Sequence, residues 1–100
     1  MDKSSVLTLI GVSYQPDEIG QQVPTEKRRD VFCNLSSVSA SEWFEAGRAG
    51  MNAEHRATMF AYDYNGEEIA ELDGVRYGIY RTYLGRNESI ELYLERKAGV

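Results

Sequence analysis

A chain of 100 residues fits one domain, 1–100, and leaves no room for a second full core. Its formal net charge of −5 argues against a duplex-DNA reader, which needs a basic face to displace counterions. A single cysteine, Cys33, excludes an internal disulfide and a cysteine-built metal cage.

The N-terminal apolar run is short for a signal peptide, and no stretch approaches the ~20 apolar residues of a membrane span. The expectation is a protein made and assembled in a reducing cytoplasm, with no membrane partner. "SVLTLIGVSY" (Ser5–Tyr14) is β-branched and apolar and predicts a first strand. "QPDEIGQQVPT" carries Pro16, Gly20 and Pro24 and predicts a long exposed loop. Glu26–Val38 predicts a second strand with Val31, Cys33 and Leu35 on one face and Phe32 on the other. Buried among such neighbours, Cys33 reads as an inert, reduced thiol.

Ser39 and Glu42 have capping-box spacing, and Val38 with Trp43 the spacing of a hydrophobic staple. Gly47 offers a positive φ, which predicts a helix over Ala40–Ala46. So short a helix needs an anchor. Ser39, Glu42, Trp43 and Phe44 are the candidates, the two aromatics packing onto the sheet. Gly47–Glu54 then predicts a flexible, small-residue loop.

The second half reads as a meander. His55–Tyr64 is a strand, Asn65-Gly66 signals a type I′ hairpin, and Glu67–Leu72 pairs back. Asp73-Gly74 repeats that turn chemistry before Val75–Leu84, and "GRNES" leads into a last strand. There Ile90, Leu92 and Leu94 face in, while Glu91, Tyr93 and Glu95 face out. The expected core is Val31, Cys33, Leu35, Val75, Tyr77, Ile79, Ile90, Leu92 and Leu94. The predicted class is mainly β: a small six-stranded antiparallel barrel, favoured over a sandwich, with one short helix between strands 2 and 3.

Catalytic patterns are absent from the sequence. His55 stands alone and reads as a solvated residue at the start of a strand, without a triad partner. No phosphate-binding glycine motif or paired metal ligands occur, so no enzyme activity, metal or cofactor is expected. Lys27, Arg28 and Arg29 form the one basic run, just after Gln21 and Gln22. They read either as a solvated strand end or as contacts to an acidic partner surface. Six Tyr in the second half are strand and core residues, yet alternation leaves some exposed at an interface.

The order "VFCNLSSVSASEWFEAGRAGM", "YNGEEI", "GVRYGIYRTY" and "IELYLERK" resembles the head–tail adaptor proteins of tailed bacteriophages. These are also called head-closure, stopper or head–tail joining proteins. The likeness runs from about Val6 to Val100 and is most specific over Val38–Gly50 and Gly74–Tyr83. It implies a barrel with a helix inserted between its second and third strands. It further implies a ring, usually dodecameric, in the virion neck, assembled in the host cytoplasm. Portal and adaptor proteins lie above, tail proteins dock below, and DNA passes through the lumen unread. On this likeness Gly47, Arg48, Ala49, Gly50, Met51, Asn52, Ala53 and Glu54 face the channel and gate it; on loop statistics alone they are an ordinary exposed connection. A subunit with like net charge is expected to self-associate weakly and to form its ring on a portal-bound template. The competing class is an OB-like module for single-stranded nucleic acid or a protein, which wants a basic groove with stacking aromatics.

Overall fold

The computed structural model describes residues 5–96; the two ends of the expected domain, 1–4 and 97–100, lie outside the described residues. In chain order it contains β1 (Ser5–Pro16), β2 (Gln22–Ser37), α1 (Ala40–Arg48), β3 (Ala53–Phe60), a 3₁₀ turn (Ala61–Asp63), β4 (Ile69–Leu72), β5 (Val75–Leu84) and β6 (Ser89–Arg96). The strands close into a barrel in the order β1-β2-β3-β6-β5-β4, every neighbour antiparallel. The predicted class is therefore the observed one, helix position included.

Its connectivity is not a meander. β3 pairs with β2 and β6, while β4 pairs with β5 and β1. Asn65-Gly66 accordingly joins no hairpin: only Gly66 has a positive φ, at 82°, whereas a type I′ turn needs both. The chain instead crosses the barrel mouth between β3 and β4, giving a Greek-key arrangement. Long-range pairing of β3 with β6 along their full lengths overrides the local turn signal. Asp73-Gly74 does form the expected turn, with both φ values positive and Leu72 opposite Val75. Asn87 and Glu88 do the same between β5 and β6.

Alternation fills the interior. Leu7, Leu9, Val31, Cys33, Ala57, Met59, Ala70, Tyr77, Ile90, Leu92 and Leu94 form one buried cluster. Leu35, Val75 and Ile79, also expected inside, are partly buried against it. Burial raises the pKa of the Cys33 thiol, which favours its neutral form. Tyr93 and Glu95 alternate with the core residues Leu92 and Leu94, as expected of the outward face, but they are covered there and both are buried. Tyr93 lies on the outer surface of β6 under the Arg81 guanidinium, 4.2 Å from its ring centre. Glu95 sits opposite Ala53, where the link from α1 crosses.

The expected long loop at Gln15–Thr25 is mostly strand. β1 runs through Pro16 and β2 starts at Gln22, so only a tight turn at 17–21 separates them. Asp17 closes it, one carboxylate oxygen accepting from the backbone N–H of Ile19 and Gln21 at 3.0 and 2.8 Å. Ile10 is the last β1 residue paired on both sides, with Arg28 and Ile69. Beyond it β1 has only β2, and the two continue as a free ribbon. Pro16 and Pro24 are tolerated there because a two-stranded ribbon has open edges needing no donor. This arm stretches the long axis to 49 Å and the radius of gyration to 14.8 Å, against about 13 Å for a compact chain of this size.

Candidate functional site

At the end of the barrel opposite the arm, α1 and the start of β3 build the segment that the sequence singled out. The Ser39 side chain accepts from the Glu42 backbone N–H at 3.1 Å, half of the expected capping box. The Glu42 carboxylate turns instead toward β5. It accepts from the Tyr80 hydroxyl at 2.7 Å and from the Arg81 guanidinium. Tyr80 is reached because it is the bulged residue between Ile79 and Arg81, which re-aims it toward the helix. Burial, then this hydrogen bond, pushes the Tyr80 hydroxyl far above its ordinary pKa.

Gly47 does not end the helix. Gly50 does, with φ at 80°. Its N–H donates to the Gly47 carbonyl at 3.1 Å and the Met51 N–H to the Ala46 carbonyl at 2.9 Å, the two bonds of a Schellman motif. The expected loop therefore shrinks. Gly47 and Arg48 are helical, Ala49 caps, and Ala53 and Glu54 belong to β3. Only Gly50, Met51 and Asn52 link the two elements, and the Asn52 carbonyl accepts from the Arg96 N–H at 3.0 Å. Among the described residues Arg48 makes only an exposed pair with Glu45 at 3.4 Å.

The aromatic anchor is also corrected. Trp43 and Phe44 are 56% and 63% exposed and meet each other edge to face at 5.1 Å. Ala46 is the helix residue that is buried. Glu42 and Ala46 lie four apart on one helix face, and that face meets the barrel. Trp43 and Phe44 are rotated off it by about 100° per residue.

Outside the barrel these two rings border a groove together with Val38, Ser39, Glu54 and His55. Glu54 is the bulged residue between Ala53 and His55. One of its carboxylate oxygens is buried without a hydrogen-bond partner. His55 is half-buried rather than solvated, edge-on to Tyr77 at 5.3 Å.

The basic run lies at the base of the arm and is already engaged. Arg28 pairs with Glu71 and Arg29 with Glu67, each at 2.7 Å. Arg76 makes a two-point contact with Glu26 at 3.0 and 2.9 Å. Lys27 has no ion-pair partner among the described residues. Gln21 and Gln22 are exposed at the tip of the arm. Glu67 plugs the barrel mouth: burial alone would raise its pKa, but hydrogen bonds from Arg29 and the Asn65 N–H outweigh that and lower it.

This end also carries the exposed apolar residues that sequence reading left unplaced. Val12, Tyr14, Ile19 and Val23 stud the arm. Phe60 and Tyr62 stack at 5.4 Å, and Tyr83 and Leu84 stand out at the end of β5. Of the tyrosines in the second half, Tyr62 and Tyr83 are thus the exposed ones. Phe32, outward as expected, is 65% exposed.

Among the described residues no three His, Cys, Asp or Glu side chains converge as a metal site, and no helix is long and apolar enough to cross a membrane. Comparison with known proteins finds no family model and no curated protein that matches this chain.

Proposed function

We propose that this chain is a structural subunit of the neck of a tailed bacteriophage, forming a ring that closes the DNA-filled head and joins it to the tail. The observation carrying this reading is a closed barrel that leaves apolar side chains exposed at both ends, Trp43 and Phe44 at one, Phe60, Tyr62, Tyr83 and Leu84 at the other. A rigid body with two such ends is suited to contacts on either side. The helix after the second strand is the arrangement implied by the sequence resemblance. A net charge of −5 suits a conduit through which DNA slides without sticking. In this reading α1 and the short Gly50–Asn52 link are the elements turned toward the lumen, and the portal and tail proteins contact the two ends.

The nucleic-acid-binding alternative needs free cations beside its aromatics. Arg28, Arg29, Arg76 and Arg81 are each paired with a carboxylate, so that of the basic run only Lys27 is unpaired among the described residues. The test is complementation of DNA-filled heads made without this protein. Adding the purified chain should protect head DNA from nuclease and permit tail joining. Heads that remain leaky and tailless after saturation with folded protein would overturn the neck assignment. Salt-dependent binding of single-stranded DNA by the isolated chain would favour the alternative.

A further inference from the structure

Two surfaces at opposite ends of the barrel complement one another. The β3–β6 ladder places them: Ala53 pairs with Glu95 at one end and Phe60 with Ser89 at the other, roughly 23 Å apart at ~3.3 Å per residue. The first surface is the concave groove bordered by Val38, Trp43 and Phe44, with Glu54 along it. A buried carboxylate oxygen without a donor is costly unless something completes it. The second surface is the β5–β6 turn, convex and exposed. It carries Arg86, which has no carboxylate partner among the described residues, beside Tyr83 and Leu84 at 59% and 70% exposure.

We propose that the Arg86 turn of one copy seats in the Trp43–Glu54 groove of the next. The Glu54 carboxylate, one oxygen of which is buried without a donor, rotates into the groove to accept from the Arg86 guanidinium, and a planar cation also suits the faces of Trp43 and Phe44. Leu84 covers apolar surface on the same rings. Glu88, the other charge on the turn, meets the N-terminal end of α1 at Ser39, which favours an anion. The arm projects from the same end but is the poorer occupant. Its tip bears Asp17 and Glu18, which would oppose Glu54.

This contact rests on the ring reading and gives it a specific interface. Groove and turn are different patches at opposite ends, so head-to-tail repetition of the contact is heterologous and propagates to a ring or an open chain; a natural chain whose largest species is a dimer making both contacts reciprocally would overturn this form of it.

Charge reversal tests it on the full chain. Arg86→Glu and Glu54→Arg should each remain monomeric by sedimentation at concentrations where the natural chain self-associates. Their 1:1 mixture should recover the larger species, since every junction then joins opposite charges. Independently of Glu54, a mixture of Leu84→Cys and Phe44→Cys should form a disulfide-linked pair on oxidation, with Cys33 shielded inside the barrel. Arg86→Glu assembling like the natural chain overturns the proposal. So does a folded mixture that stays monomeric, or a cysteine pair that fails to link. None of these failures touches head closure, which the complementation of leaky heads decides separately.

Discussion

Replacing Gly47 with Ala should stabilise the protein, and replacing Gly50 with Ala should destabilise it. Gly47 lies inside α1 and Gly50 just past its end, and sequence spacing assigned the terminating role to the wrong one. An added Cβ at Gly47 meets nothing within 4 Å, and the residue sits inside α1 without a positive φ. Alanine there reduces the freedom of the unfolded chain and favours the helix, a gain of about 0.5–1 kcal/mol. Gly50 also has open space around it, but its φ of 80° holds the left-handed region. The penalty there is purely conformational, about 1–2 kcal/mol. At ~4–8 °C per kcal/mol for a domain of this size, melting should rise by about 2–8 °C for Gly47→Ala and fall by about 4–16 °C for Gly50→Ala. Thermal unfolding followed by circular dichroism and by Trp43 fluorescence measures both. The opposite order of the two variants would place the helix end at Gly47 and refute the Schellman assignment.

Leu92 is fully buried in the cluster, so Leu92→Ala should cost about 2–5 kcal/mol; an unmoved urea midpoint would put it outside the core. Glu42→Gln should weaken the ties of α1 to Tyr80 and Arg81 and lower stability by about 1–3 kcal/mol. An unchanged Trp43 fluorescence transition would show that the tie carries no stability. For pH, Glu67 is held below its ordinary carboxyl value of 4.5, so its contribution is present above the unfolded-state pKa and is lost as pH falls through the folded-state one. Urea midpoints should therefore be level above about pH 5 and decline below about 4.5, and Glu67→Gln should reduce that decline. An identical acid profile in the variant would remove Glu67 from the account.

The strands were legible because barrel closure leaves each with one apolar face, and period two exposes that face in Leu92/Leu94 or Val31/Cys33. The arm was not. Pro16 and Pro24 normally signal a break, and only the absence of a second neighbour lets them remain in a ladder. The β3–β6 pairing was hidden for another reason: Asn65-Gly66 has hairpin chemistry locally, and nothing nearby reports that the next strand docks elsewhere. For the helix, the capping residues at Ser39 were readable from spacing alone. The rotation that turns Ala46 inward and Trp43 outward follows from the bulged Tyr80 reaching Glu42, a tertiary event. The arginines of the basic run looked available because their carboxylates come from residues about 40 positions away along the chain.

The barrel does not close with equal strength all round. Its final seam joins β1 to β4 through Thr8–Glu71, Leu9–Ala70 and Ile10–Ile69 alone, while β1 pairs with β2 along its whole length. Local opening follows the shortest ladder, so amide hydrogens of β4 should exchange with solvent before those of β6. Arg28–Glu71 and Arg29–Glu67 bridge from β2 across that seam to β4 and the segment before it, like rivets over a joint. A pull on the arm is therefore borne by these two ion pairs, together with Glu26–Arg76, before it reaches the packed interior. The arm becomes a lever whose fulcrum is the weakest line in the wall, and a load at its tip is a means of prising the cylinder into an open sheet.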